Sequence, residues 1–346
     1  MNDSAYPVGN SVSQACTEGF RVGDVSLANP VFLAPMAGIT DLPFRRIAAR
    51  FGVGAVVSEM VASGELVTGR AEAQMRMEGE GIFPHMVQLA GREAPWLSEA
   101  ARIVEGAGAD IIDINMGCPS KRVTTGYAGA ALMRDLDQAL ELIEAVIGAV
   151  SVPVTVKMRL GWDEGCLNAA DLARRAQDAG VKMISVHGRT RNQFYKGKAD
   201  WDAIGAVRES VSIPVIANGD CTGFDEADAM LAASGAAGIM IGRGAYGRPW
   251  FPGHVAHYLA TGERKAEPTG AELLDLIHEH YDAVVTHYGL PFGVRNARKH
   301  LGWYMDGWPL DDTGAKALRR TILTETDPER VHDYLDRWFE SERKVA

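Results

Sequence analysis

Short apolar runs alternate along the chain with longer segments in which apolar residues recur every three or four positions. The short runs are typical of buried parallel strands, and the longer segments, such as residues 136–150, 169–179 and 225–233, are typical of helices. The pattern predicts eight strands, at residues 31–35, 55–60, 85–90, 111–117, 153–159, 183–189, 214–219 and 238–244.

Continuous apolar strands that alternate with helices indicate parallel strands buried on both faces. Eight such units predict an α/β fold that closes as a (β/α)8 TIM barrel. The alternative is a doubly wound open sheet, whose first strand typically leads into a Gly-x-Gly-x-x-Gly turn. Here the first strand leads into Ala34-Pro35-Met36-Ala37-Gly38, which lacks that pattern. Residues 20–29 are expected to form a small hairpin that plugs the bottom of the barrel.

The pattern changes after the eighth unit. Residues 259–270 are rich in Gly, Pro and charge, which predicts a linker. Four amphipathic helices are predicted beyond it, at residues 271–288, 294–304, 313–324 and 327–340. We therefore expect a barrel domain over residues 1–260, with an N-terminal extension at 1–20. A small all-helical domain should follow over residues 261–346.

Composition and charge narrow the class of protein. Apolar residues make up 47 % of the chain, enough for a large core. No apolar run approaches the roughly 20 residues that span a bilayer, and residues 1–14 lack the pattern of a signal peptide. We therefore expect a cytoplasmic protein without a membrane partner. The net charge of −10 argues against a general nucleic-acid-binding protein, but it leaves room for a local basic groove.

The four cysteines are too few and too scattered for a disulfide scaffold or a zinc site, so we expect reduced thiols and no metal. Cysteines are most often buried and inert, which is our interpretation of Cys16, Cys166 and Cys221. Cys118 differs because it lies where a predicted strand gives way to a loop.

Residues that follow the strands of a parallel barrel face one shared pocket. Each of them alone is explained by an ordinary structural role, as a strand end, a turn residue or a core residue whose hydrogen bonds are made within the protein. Together, so many polar groups would be costly as a core, so they indicate a polar ligand. The strand ends carry Pro35, Met36, Ala37, Ser58, Glu59, Gln88, Asn115, Cys118, Lys157, Arg159, His187, Arg189, Asn218, Gly219, Asp220, Gly242 and Arg243.

The last two strand ends indicate a phosphate. Asn218-Gly219-Asp220 and Gly242-Arg243-Gly244 follow strands seven and eight, and the loops after these strands are the usual phosphate site of the fold. An arginine there adds charge-assisted, bidentate hydrogen bonding.

A phosphate at one end, with Gln88, Lys157 and His187 in the middle, fits FMN. Lys157 would stabilise negative charge at the N1–O2 edge of the reduced ring, and Gln88 would bond its pyrimidine part. The segment Pro35-Met36-Ala37 would pack against the ring. A phosphorylated sugar would also satisfy the phosphate site, but it would give Met36 and Gln88 less to bind.

Cys118 is then interpreted as a general acid. If a reduced flavin gives hydride to one carbon of an electron-poor double bond, the adjacent carbon needs a proton, and a thiol is a suitable donor. A nucleophilic role is the alternative, but no histidine follows in a local dyad. Residues 121–129 are expected to form a mobile lid that carries Cys118 over the substrate.

The strand-end segments together resemble one known family, the bacterial tRNA-dihydrouridine synthases. The likeness runs from about residue 29 to residue 303, and residues 295–304 particularly resemble the DusB type. The segments that carry it are Ala34-Pro35-Met36-Ala37-Gly38-Ile39-Thr40-Asp41, Asn115-Met116-Gly117-Cys118-Pro119, Val156-Lys157-Met158-Arg159, His187-Gly188-Arg189-Thr190, Ala217-Asn218-Gly219-Asp220 and Met240-Ile241-Gly242-Arg243.

The resemblance implies a TIM barrel that binds FMN, is reduced by NADPH and transfers hydride to C6 of a uridine in tRNA. The cysteine that matches Cys118 would give the proton to C5, and Asn115 would help to hold the flipped base. Lys157 and His187 would contact the flavin. Residues 218–220 with Gly242 and Arg243 would take its ribityl phosphate end.

A uridine inside folded tRNA must be flipped out to reach a barrel pocket, which requires a second surface that grips the RNA. Arg295, Arg298 and Lys299 are predicted to share one face of a helix and to meet phosphates. Trp303 and Tyr304 nearby either stack on bases or, more in keeping with their pattern, pack the helical core. Arg189 and other basic residues of the barrel rim would add to the RNA-binding surface, and no obligate protein partner is expected.

Two other functions remain open from the sequence. A flavin barrel that acts on a free pyrimidine, like a dihydroorotate dehydrogenase, would use similar chemistry but would not need the terminal helices. An RNA-binding protein without catalysis is the second alternative, and the intact Cys118 with a full set of flavin-binding residues disfavours it.

Overall fold

A computed structural model describes residues 19–307 and 313–342. A small hairpin comes first, formed by β1 (Phe20–Val22) and β2 (Val25–Leu27), which pair antiparallel. Val22 and Leu27 are buried in one cluster with residues inside the barrel, among them Ile111 and Met183, each the first residue of its strand. The hairpin therefore plugs the amino-terminal end of the barrel, as expected.

The barrel closes through parallel strands alone. The strands are β3 (Val31–Leu33), β4 (Ala55–Val57), β5 (Val61–Ala62), β6 (His85–Ala90), β7 (Ile111–Met116), β8 (Val154–Arg159), β9 (Met183–His187), β10 (Val215–Asn218) and β11 (Gly238–Ile241). The order β4-β3-β11-β10-β9-β8-β7-β6 is completed by pairing of β4 with β6, and the short β5 pairs with β6 beside β4. The prediction of a (β/α)8 TIM barrel is confirmed.

Helices cover the outside of the barrel, and their boundaries follow local capping. The side chains of Asp41, Asp135 and Asp200 each accept a backbone N–H in the first turn of the helix that follows. The helices are α1 (Leu42–Arg50), α2 (Ser63–Val67), α3 (Ala71–Met77), α4 (Ala94–Gly106), α5 (Lys121–Thr124), α6 (Leu136–Ile147), α7 (Ala169–Ala179), α8 (Trp201–Glu209), α9 (Phe224–Ser234) and α10 (Phe251–Thr261), with 3-10 helices at Gly129–Arg134 and Arg243–Ala245.

The structure corrects the bounds of the linker and the ends of several strands. Helix α10 continues to Thr261, so the connection to the next helix is residues 262–269 and not 259–270. Several observed strands end one to three residues before the predicted ends, because residues such as Pro35, Gly219 and Gly244 belong to the loops that shape the site. The short α2, α3 and α5 were not predicted, since four to seven residues carry too little periodicity.

Four further helices follow, as predicted: α11 (Gly270–Tyr288), α12 (Phe292–Asp306), α13 (Thr313–Thr324) and α14 (Pro328–Glu342). They pack in sequence, and α11 also contacts α14 and the barrel helix α1. At that contact Arg50 donates two hydrogen bonds to the carboxylate of Glu279, at 2.7 and 2.8 Å. Phe44 on α1 packs against the buried rings of His280 and His300. The helical segment is thereby docked on the barrel.

Some sequence predictions fall on residues that the structure does not describe. Cys16 and all but the last two residues of the N-terminal extension predicted at 1–20 lie outside the described part of the chain. Within residues 19–307 and 313–342, no helix is both long enough and apolar enough to span a membrane.

Candidate active site

A cavity of about 560 Å³ opens at the carboxyl ends of the barrel strands. The structure brings to its wall every strand-end residue predicted to bind a cofactor, together with the two predicted to act on the substrate base. These residues are Pro35, Met36, Ala37, Gln88, Asn115, Cys118, Lys157, His187, Asn218, Gly219, Asp220, Gly242 and Arg243.

The turn that carries Cys118 is held by the side chain of Asn115 at the end of β7. Asn115 Oδ1 accepts the backbone N–H of Gly117 at 3.2 Å and that of Cys118 at 2.9 Å. Asn115 Nδ2 donates to Gln88 Oε1 at 2.7 Å. The turn also lies against Gly129, where a Cβ would approach the carbonyl oxygen of Cys118 to 2.9 Å, so this approach requires glycine.

The thiol of Cys118 is half-buried. Burial raises its pKa above the ordinary cysteine value, while the backbone N–H of Ser120 and the cations of Arg159 and Lys157 act more weakly in the opposite direction. The sulfur therefore holds its proton at neutral pH, which suits a proton donor better than a nucleophile.

Lys157 supplies positive charge inside the cavity. Its Nζ donates to Asn218 Oδ1 at 3.1 Å, and Asn218 in turn donates to the carbonyl of Met240 at 2.7 Å. Burial, followed by the nearby Arg159, lowers the pKa of Lys157 to about 8. The ammonium is still charged at neutral pH, so this part of the wall favours an anionic group.

His187 is neutral. Burial, then the cations of Arg159, Lys157, Arg189 and Arg243, hold its pKa well below the ordinary histidine value. Its Nε2 lies 3.3 Å from Nη1 of Arg189. A guanidinium only donates, so His187 Nε2 accepts and the ring proton lies on Nδ1.

Arg189 does not line the cavity. Only 1 % of this residue is exposed, and its guanidinium donates to both carboxylate oxygens of Asp220, at 2.6 and 2.9 Å. It also donates to the carbonyls of Lys196 and Gly197. Burial opposes ionisation of Asp220, but the hydrogen bonds from Arg189 and from the N–H of Ala199, together with the charge of Arg243, keep its pKa below the ordinary value. Arg189 thus joins the loop after β9 to the loop after β10.

Arg243 lies at the mouth of the cavity. Its side chain is 45 % exposed, and Nη2 lies 3.2 Å from Asp220 Oδ1. Its guanidinium also lies over the ring of Tyr195, 4.9 Å from the centroid. An exposed cation beside the glycine-containing turns at residues 218–220 and 242–244 is suited to an anionic ligand group.

Several residues of the wall were absent from the predicted binding set. Arg159 is buried at the end of β8, where it donates to the carbonyls of Gly117, Thr190 and Phe194 at 2.8 to 2.9 Å. Phe194 and Tyr195 also line the cavity, and both rings are partly exposed. The signal that could have found them is an aromatic pair flanked by basic residues, in a loop directly after a strand.

The three basic residues predicted to share a face of α12 are placed differently from one another, and none lines the cavity. Arg295 is exposed beside Phe292. Arg298 donates to the carbonyls of Thr324 and Glu325, at the carboxyl end of α13. Lys299 is half-buried, and its Nζ donates to the carbonyl of Asn296 at 2.8 Å.

The two aromatic residues predicted near this basic face, Trp303 and Tyr304, also differ in their surroundings. Tyr304 is buried in the helical core, where its hydroxyl lies 3.0 Å from His280 Nδ1. Trp303 is partly exposed and stacks at 4.1 Å on Tyr246, which lines the cavity. Helix α12 is thereby in contact with the cavity wall. In the described part of the chain, no group of three or more His, Cys, Asp or Glu side chains could hold a metal ion.

Comparison with known proteins adds a family and a fold. The model of the family described as dihydrouridine synthase (Dus) matches residues 32–342. A Rhodobacter capsulatus protein named "Probable tRNA-dihydrouridine synthase" is 56 % identical over 319 residues, which cover 92 % of this chain and 96 % of the relative. The tRNA-dihydrouridine synthase B of Pseudomonas putida is 47 % identical over 300 residues, covering 86 % and 88 %.

Solved structures with similar folds are more distant in sequence. Histamine dehydrogenase from Rhizobium sp. 4-9 aligns with a TM-score of 0.55 at 15 % identity, covering 95 % of this chain and 65 % of that one. An old yellow enzyme homologue from Zymomonas mobilis aligns with a TM-score of 0.50 at 14 % identity, covering 75 % and 96 %. At such identities the likeness shows the barrel fold alone.

Proposed function

The chain belongs to the dihydrouridine synthase family, and on that premise we propose that it reduces uridines within tRNA to 5,6-dihydrouridine, with FMN as cofactor and NADPH as reductant. One observation carries the proposal. A single cavity at the carboxyl ends of the strands contains a protonated thiol, Cys118, together with the cation of Lys157. That pairing suits a reaction in which negative charge develops and a proton is delivered.

The cavity fits FMN in size and in chemistry. Its volume of about 560 Å³ lies within the range of small-molecule sites. Gln88 and Lys157 offer polar groups to the ring, and the apolar side of Met36 offers it a packing surface. The exposed guanidinium of Arg243 and the turn at residues 218–220 suit the phosphate end. FMN, when bound, would supply the hydride that C6 of the uridine receives, and NADPH would reduce the oxidised flavin again.

The residues of the protein itself stabilise charge, deliver the proton and position the ligands. Lys157 stabilises negative charge at the edge of the ligand it faces, and neutral His187 contacts the ligand without adding a second charge beside it. Cys118 holds the proton that C5 receives, and Asn115 holds both the Cys118 turn and the base. Pro35, Ala37, Asn218, Gly219 and Gly242 complete the wall against the cofactor.

The RNA partner is proposed to lie across the mouth of the cavity and α12. A base in folded tRNA has to leave its stack to enter a barrel pocket. Arg295 carries this part of the proposal, because it is exposed, whereas Arg298 and Lys299 already bond backbone carbonyls. Arg189 serves the site through Asp220, which it holds in place.

Nucleoside analysis tests the proposed function. The purified protein is incubated with FMN, NADPH and tRNA transcribed without modification, and the tRNA is digested and analysed by mass spectrometry. We expect dihydrouridine in the tRNA and none when free uridine replaces tRNA. A flavin-loaded protein that forms no dihydrouridine from tRNA would contradict the proposal. A protein that reduces free uridine equally well would favour the free-pyrimidine alternative.

A further inference from the structure

Below the cavity lies a buried carboxylate that does not reach the cavity wall. Asp113, in the middle of β7, is 1 % exposed. The strand register places it beside Gln88 of β6 on one side and Thr155 of β8 on the other. Its Oδ1 accepts the hydroxyl of Thr155 at 2.6 Å, and its Oδ2 accepts Nε2 of Gln88 at 2.7 Å. A buried carboxylate with two such bonds is a fixed acceptor.

A chain of hydrogen bonds runs from this carboxylate to the backbone of Cys118. Gln88 donates to Asp113 through Nε2 and accepts Nδ2 of Asn115 through Oε1, at 2.7 Å each. Asn115 then accepts the N–H groups of Gly117 and Cys118 through Oδ1. Three side chains therefore connect the interior of the barrel to the turn that carries the thiol.

The groups at the two ends of this series of hydrogen bonds fix the orientation of the two amides between them, those of Gln88 and Asn115. Burial raises the pKa of Asp113 to about 6, against hydrogen bonds from Gln88 and Thr155, so the group is a carboxylate at neutral pH and only accepts. At the other end, two backbone N–H groups only donate. If the amide of Gln88 or Asn115 were rotated by half a turn, an acceptor would face an acceptor or a donor would face a donor. Only one orientation of each amide satisfies every partner.

We propose that Asp113 is a positioning residue, which fixes the amide orientations of Gln88 and Asn115 and, through them, the turn that carries Cys118. The inference rests on the proposed function, because the positioned groups are those assigned to the flavin and the base. The same hydrogen bonds limit the groups that Asn115 and Gln88 can offer to a ligand. Asn115 Oδ1 already accepts two bonds, so Asn115 has one N–H left and recognises a carbonyl oxygen of the base. Gln88 keeps one N–H and one lone pair for the cofactor.

Substitution of Asp113, with Thr155 as the matched control, tests the role. Asp113→Val removes the acceptor for Gln88, and we expect dihydrouridine formation to fall about tenfold or more, since small misplacements of reacting groups have effects of that size. The visible absorption bands of the bound flavin should shift as well. Thr155→Val removes a bond to the same carboxylate but leaves Gln88 bonded, so its activity and flavin spectrum should stay close to wild type. Asp113→Asn keeps an acceptor for Gln88 and should retain most of the activity.

The outcomes separate this role from the proposed function. No product from the wild-type protein contradicts the proposed function. Product from the wild type together with an equally active, folded Asp113→Val contradicts the positioning role alone. An activity loss in Thr155→Val as large as that in Asp113→Val also contradicts it. If Asp113→Val does not fold, the double variant Asp113→Val with Thr155→Val, which leaves no unpaired hydroxyl, is compared with Thr155→Val in the same assays.

Discussion

The carboxyl end of the barrel and the surface of α12 both carry residues that the sequence assigns to ligand binding, and the structure places the two sets differently. At the barrel end, every residue assigned to the flavin or to the base lines one cavity, whereas the strand-end residues Ser58, Glu59 and Arg189 do not. On α12, Arg295 is exposed, Arg298 bonds the end of α13, and Lys299 is half-buried. The assignments from strand ends converge in space, and those from the helix face do not.

The difference follows from how each element is positioned. In a closed parallel barrel, strand direction alone brings all strand ends to one rim, so a position along the chain implies a position at the site. On a helix, the spacing of three basic residues gives their angular relation only. Which of them reaches solvent depends on the neighbouring helix, and the role of Arg298 depends on where α13 ends.

The largest predicted effect tests the barrel side of this comparison. Cys118→Ala should lower dihydrouridine formation by about a hundredfold or more, the usual contribution of a general acid, because C5 loses its proton donor. Binding of FMN and tRNA should stay unchanged, as followed by the visible spectrum and by filter binding. Cys166→Ala is the control, since Cys166 does not line the cavity and should keep full activity. Full activity in Cys118→Ala would remove the thiol from the reaction.

The second prediction concerns Arg189, a strand-end residue that is assigned to the substrate but does not line the cavity. Breaking a buried ion pair by removing one partner costs about 3 kcal/mol, so Arg189→Met should lower the melting temperature by several degrees. It should also weaken FMN binding, because Asp220 loses its partner. Arg174→Met removes an exposed pair with Asp171 and should change stability little. A normal flavin affinity with reduced tRNA affinity would instead place Arg189 on the substrate.

The third prediction separates two arginines of α12. Arg295→Ala should weaken tRNA binding several-fold and reduce the salt dependence of binding by about one ion. Arg298→Ala should leave tRNA affinity nearly unchanged and lower the melting temperature, because it removes bonds to the end of α13. Binding measured over a range of salt concentrations, together with thermal unfolding, checks both. Equal losses of tRNA affinity in the two variants would instead support a basic face that both arginines share.

The smallest predicted effect compares Lys157 in the barrel with Lys299 on α12. Burial lowers the pKa of both, to about 8 for Lys157. A lysine whose pKa is lower in the folded state than in the unfolded state takes up protons on unfolding. The free energy of unfolding therefore rises with pH above the pKa of the folded state. Relative to Lys157→Met, the wild type without FMN should gain stability from about pH 8 to about pH 10. Lys299→Met should show the same sign. A stability difference that is independent of pH would contradict the burial argument.

The sequence predicts the barrel, the four terminal helices and most of the cavity wall because hydrophobic periodicity and strand direction are local signals. It places Arg159 at a strand end without giving it a role, and it does not predict Phe194 or Tyr195. A loop's course over a pocket depends on contacts distant in sequence, such as those from Arg159 to Gly117, Thr190 and Phe194. Nor does it reveal Asp113, which reads as one polar residue in an apolar strand until its register with Gln88 and Thr155 is known.

Isotope labelling of the product tests the central claim most directly, namely that this chain reduces a uridine in tRNA with a proton from Cys118. The reaction is run in D2O with FMN, unlabelled NADPH and unmodified tRNA, and the dihydrouridine is analysed by mass spectrometry. Because a thiol exchanges with solvent, the account predicts one deuterium at C5 with the wild-type protein, and almost no product with Cys118→Ala. Absence of dihydrouridine from the wild-type reaction, or equal labelled product from Cys118→Ala, would contradict it.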